Sequence, residues 1–128
     1  MKEKIHEELL DKAVYSAANF ETKKDQGSSQ ISNFLNMMVS DRSQVGIKKL
    51  LLFIARQAGS GRDVIKPNSA KILVSNIQWI LNQKDVDHVE MTIDYLTYLK
   101  WSFDALKGKE NIKISNLNDL LKVTGGSS

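Results

Sequence analysis

The chain has 128 residues, 41% of them apolar and 26% charged, which suits one domain with a real core and excludes two good cores, a collagen-like chain or a disordered one. The absence of cysteine excludes disulfide frameworks, thiolate metal sites and cysteine nucleophiles together. Net charge is only +3, yet between positions 42 and 71 seven basic residues stand against Asp63 alone, an excess that suits an anionic partner as well as a lysine-rich solvated face.

The first segment, 3–20, repeats apolar residues at Ile5, Leu9, Ala13 and Ala17, joined by Leu10, Val14 and Ala18. Steps of three and four make one apolar stripe, so a first helix is predicted. Residues 21–29 are polar and read as a mobile connection. A second helix follows over 29–39, with Ile31, Phe34, Leu35 and Met38 on its buried face and Ser28 or Ser29 as the capping residue. The third predicted helix opens at Asp41-Arg42-Ser43-Gln44, a variant of the capping box, and runs to 58. Apolar residues cover nearly every side of its middle, so it is either central to the bundle or partly covered by a partner.

Gly59-Ser60-Gly61-Arg62-Asp63 reads as a flexible turn, and Pro67 fits the first turn of a fourth helix with Ala70, Leu73, Val74, Ile77, Ile80 and Leu81. Residues 84–87 break that pattern. Asp87-His88-Val89-Glu90 is a second capping box and starts a fifth helix, with Val89, Ile93, Leu96, Leu99, Phe103 and Leu106 in phase and Gly108 as its stop. A short last helix from Ser115 carries Leu117, Leu120 and Leu121. Ile112 and Ile114 alternate too briefly for a strand. The expected fold is all-α: a compact bundle of about five main helices plus a short C-terminal one, with 1–124 as one domain and 125–128 as a disordered tail.

Residues 1–8 are charged and lack the apolar run of a signal peptide. The longest apolar run, 50–55, falls far short of the roughly 20 residues that span a bilayer. A cytoplasmic protein without membrane contact is therefore expected.

No constellation for catalysis stands out. His6 and His88 are far apart and lack the spacing that puts two ligands on one helical face, so no metal site is predicted; Asp85, Asp87 and Glu90 around His88 fit a helix start better. The 58–62 run lacks the glycine-lysine signature of a nucleotide-hydrolysing loop and follows a helix where that loop needs a strand. Its Arg62 and backbone N–H groups remain able to touch a phosphate. No nucleophile elbow occurs. The chain is expected to be no enzyme and to need no cofactor.

The stronger feature is Arg42, Lys49 and Arg56. Steps of seven return to nearly the same side of a helix, drifting about 20° each time, so the three are expected along one edge of the third helix. Lys48 flanks them, and Arg62, Lys66 and Lys71 continue the charge into the fourth helix. Such a line can neutralise successive phosphates of a nucleic-acid backbone; the alternative is that Arg42 and Arg56 pair with acids on neighbouring helices. Trp79, Trp101, Tyr95 and Tyr98 are candidates for base stacking or a protein interface where they are exposed, the alternative being rim or core positions of the bundle. Tyr95 and Tyr98 fall off the main stripe of the fifth helix, which suggests cover by another subunit.

Ser29-Gln30-Ile31-Ser32-Asn33-Phe34, the apolar run 50–55 and Ala58-Gly59-Ser60-Gly61-Arg62 together resemble the small all-helical subunit of type III CRISPR effector complexes. The late aromatic-rich stretch Thr97-Tyr98-Leu99-Lys100-Trp101-Ser102-Phe103-Asp104-Ala105-Leu106 is similar to a late helix of the same family. The resemblance spans about residues 29–107. Ser32 stands where that family tends to have a basic residue, and Ser60-Gly61 interrupts an Ala-Gly-Arg run. The resemblance implies a non-catalytic subunit that stacks head to tail along a ribonucleoprotein filament, with crRNA, target nucleic acid and the other subunits as partners. The rival reading is a helical protein–protein adaptor or regulator that binds no nucleic acid.

Overall fold

Apolar spacings of three and four resolve into six α-helices over the residues that the computed structural model describes, 2–59, 61–107 and 113–124. In chain order these are α1 (Lys2–Ala18), α2 (Gly27–Ser40), α3 (Gln44–Ala58), α4 (Pro67–Leu81), α5 (His88–Ala105) and α6 (Leu117–Thr124). The fold is an all-α bundle, and no helix among the described residues is long and apolar enough to cross a membrane. Pro67 sits in the first turn of α4, where its missing N–H costs no helical hydrogen bond. Asp87 caps α5, its side chain accepting from the Glu90 N–H at 3.1 Å. The expected stop at Gly108, Ser60 of the turn after α3, Ile112 and the tail 125–128 lie outside the described residues.

The central element is α5, which packs against α1, α2, α3 and α4. Its Met91, Ile93, Tyr95, Leu96 and Leu99 are all buried, and so are Thr92 and Ser102. Around it close Leu9 and Ala13 of α1, Ile31, Phe34 and Met38 of α2, Ile47, Leu50 and Ile54 of α3, and Leu73, Ile77 and Ile80 of α4. Each such Leu, Ile or Phe contributes about 1.5–3 kcal/mol when fully buried. Phe34 ties two layers together, meeting Phe20 and Phe53 edge to face at centroid separations of 6.4 and 6.0 Å. A smaller cluster of Val14, Ile114 and Leu120 seats α6 on α1, where the Leu117 N–H donates to the Asp11 carboxylate at 3.0 Å.

Several local expectations need correction. The cap of α3 is Ser43 and not Asp41: the Ser43 hydroxyl accepts from the Gly46 N–H at 2.9 Å, so Arg42 precedes the helix. Gly46 is required there, because a Cβ would run into the backbone carbonyl of Asp41 where the chain folds back. Helix α2 starts two residues before the expected Ser29. Ser28 and Ser29 therefore lie inside its first turn, with Gln26 at the cap position. The connection read as mobile is pinned: Thr22 forms an isolated antiparallel bridge with Ile65, and the Lys66 N–H donates to the Glu21 carbonyl at 3.0 Å. Centrality belongs to α5 rather than α3, since Leu52 in the middle of α3 is 73% exposed.

Candidate nucleic-acid interface

Helix α3 turns Ile47, Leu50, Ile54 and Gln57 into the bundle. Val45, Lys48, Lys49, Leu52, Ala55 and Arg56 stay exposed on the opposite side. Lys49 and Arg56 are seven residues apart, as are Val45 and Leu52, so a cationic row and an apolar row run side by side along the outer face. Lys48 borders the apolar row from the other flank. The side chains of Lys48 and Arg56 have no hydrogen-bond or ion-pair partner among the described residues. Lys49 Nζ lies 3.2 Å from the Asp41 carboxylate. That carboxylate also accepts from the Ser43 hydroxyl at 2.7 Å, and these contacts, Ser43 first and Lys49 second, hold the Asp41 carboxyl below the usual carboxylate range.

The other predicted cations distribute differently. Arg42 lies off the row and reaches Glu90 on α5 at 3.8 Å, with both side chains more than half exposed. A pair of that kind adds only about 0–1 kcal/mol. Arg62, exposed in the turn after α3, donates to the Gln57 Oε1 at 3.3 Å. Gln57 in turn donates to the Gln30 Oε1 at 2.8 Å, and both amides are buried. Lys66 and Lys71 are exposed at the start of α4, and Lys71 borders a shallow groove with Asn76 of the same helix and Tyr15 of α1. The structure therefore places Lys49 and Arg56 in one row with Lys48 beside it, and leaves Arg42, Arg62, Lys66 and Lys71 as outliers in three places.

The aromatic candidates separate as clearly. Tyr95 is fully buried within the chain, which removes it as a stacking or interface residue and corrects the expectation of cover by another subunit at that position. Its hydroxyl lies 2.6 Å from the Ser16 Oγ and accepts from the Asn76 amide at 3.1 Å. Because the Ser16 proton is donated to the Lys12 carbonyl, the Tyr95 hydroxyl is the donor toward Ser16. Tyr98 is half-buried, its hydroxyl 2.8 Å from His6 Nε2, and burial first and Asp94 second push that phenol up from its ordinary range. Trp79 is half-buried with Lys12 Nζ 4.8 Å above its ring. Trp101 alone among the four is largely exposed, at 64%.

His88 is held at both ring nitrogens, by the Gln83 carbonyl at 2.7 Å and the Gln44 amide at 3.2 Å. A carbonyl can only accept, so Nε2 carries the proton and Nδ1 accepts from Gln44. Among the described residues, no three His, Asp or Glu side chains gather so as to hold a metal ion.

Two features escaped sequence reasoning. The buried relay Gln30–Gln57–Arg62 joins the two short stretches 29–34 and 58–62, and no periodicity reports a polar residue on an apolar face. The exposure of Leu52 was equally hidden, because the apolar run around it offers no phase. No protein-family model matches the chain, and comparison with curated proteins and with solved structures gives no significant match.

Proposed function

We propose that the chain is a non-catalytic small subunit of a CRISPR ribonucleoprotein effector complex. It binds the nucleic-acid backbone, as crRNA–target duplex or displaced strand, through the basic face of α3, and stacks on neighbouring subunits. The observation that carries this reading is the outer row of α3, where Lys49 and Arg56 are exposed, Lys48 stands beside them, and Lys48 and Arg56 are held by no acid among the described residues. Cations fixed on a helix and left without internal partners are available to displace counterions from phosphates. The resemblance of segments 29–34, 58–62 and 97–106 to the small subunit supports the same reading, and the relay of Gln30, Gln57 and Arg62 gives two of those segments a common structural task.

Replacing Lys48, Lys49 and Arg56 together by alanine is expected to weaken binding to RNA by tenfold or more, to a similar degree on unrelated sequences, while the helical circular-dichroism signal stays unchanged. Unaltered affinity in the folded triple variant would contradict the proposal.

The rival reading, a helical adaptor without nucleic-acid affinity, draws on Leu52 at 73% and Val45 at 59% exposure in the same face. It predicts salt-tolerant association with a protein through these two residues, and no loss when the cations are removed.

A further inference from the structure

A groove of about 500 Å³ runs between α2 and α3, immediately beside the cationic row. Its volume falls within the roughly 300–1,000 Å³ typical of small-molecule sites. Half-buried Met37 and Phe53 line it, and Phe53 is steadied by its edge-to-face contact with buried Phe34 at 6.0 Å. Asn33 and Asn36 line it from α2, on the same helix as Met37 and across from Phe53 of α3, both exposed, with side-chain amides that have no partner among the described residues. Lys49 belongs at once to the rim of this groove and to the row that it shares with Arg56.

From this arrangement we infer that the α2–α3 groove takes one unpaired nucleobase of a single strand whose phosphates follow Lys49 and Arg56. The inference rests on the nucleic-acid reading above and adds a subsite to it. An aromatic ring beside free carboxamides is what a base requires: a π-face to stack on and groups that both donate and accept along its edge. The Asp41 carboxylate at the end of the groove is already engaged by Ser43 and Lys49, so the phosphates run along the Arg56 side, away from it. The two asparagines add a second argument. Asn is a poor helix former, and an exposed helix face gains more from Lys, Glu or Ala. Positions where a sequence breaks its local rule concentrate where function requires it.

The test compares the full chain binding a uridine 12-mer with its binding to a 12-mer of abasic ribose phosphates, and a thymidine DNA 12-mer separates RNA from DNA as the source of the base. The uridine strand is expected to bind at least about fivefold more tightly than the abasic strand. Asn33→Ala/Asn36→Ala and Phe53→Leu are each expected to shrink that ratio while leaving abasic binding unchanged. Because Phe53→Leu touches the core, the exposed asparagine pair is the decisive variant. In NMR titrations the side-chain amide signals of Asn33 and Asn36 are expected to shift with the uridine strand and not with the abasic one. Equal binding of both strands, or shifts at neither amide, overturns the base subsite while the backbone reading stands. Binding of neither strand overturns both.

Discussion

The hydroxyl of Tyr95 lies at the centre of a buried cluster, donating to Ser16 and accepting from Asn76, and burial pushes its phenol up to about 12. A raised phenol means that the folded state favours the neutral form. The stability it contributes is fully present below the ordinary tyrosine value near 10 and is lost as pH climbs from there toward about 12. Thermal melts are therefore expected to fall steeply above about pH 10. In Tyr95→Phe that alkaline loss is blunted, at a cost of about 1–2 kcal/mol near neutral pH for the missing hydrogen bonds. Gln57 carries a different obligation. It is 2% exposed, and cutting it to alanine leaves the amide of buried Gln30 without its donor. Gln57→Ala is expected to lower stability in urea unfolding by about 1–3 kcal/mol, the cost of an orphaned buried polar group. The sequence marks Tyr95 as an aromatic off the stripe of α5 but shows the buried partners of neither residue. Tyr95 lies off the stripe of α5 because that helix is buried on several sides, and one helix's periodicity carries no information about the partners on another.

At the scale of the element, helix phases were legible, whereas the starts of α2 and α3 were not. The stripes of α1, α2, α4 and α5 follow from apolar spacing, and the Asp87 cap and Pro67 follow from residue type. The start of α3 was ambiguous because Asp41, Ser43 and Gln44 are all plausible cap chemistry, and only the fold-back allowed by Gly46 selects Ser43. That selection moved Arg42 off the helix and shortened the predicted cationic line from three residues to two. Ser43→Ala removes the oxygen that accepts from the Gly46 N–H and also the hydroxyl that binds Asp41. Thermal denaturation is expected to show a loss of about 1 kcal/mol, within the usual range for a lost cap. An unchanged midpoint would return the capping role to Asp41.

For the whole molecule, the fold class was readable because a series of helices with apolar faces has few ways to bury them except against one another. The candidate face was readable only in part. Charge counts along 42–71 locate an excess of cations, but which of them share a surface depends on where each helix begins and which side it buries. Lys48, Lys49 and Arg56 meet on α3, whereas Lys66 and Lys71 lie at the start of α4. The most direct test of the central claim is the affinity of the full chain for single-stranded RNA measured from low to moderate salt, with and without Lys48, Lys49 and Arg56. The phosphate-contact account predicts a linear fall of log affinity with log salt, roughly 0.7 in slope for each phosphate contacted, and a slope shallower by about 2 in the triple alanine variant. Affinity that is flat with salt, or a slope unaltered by removing the three cations, would contradict it.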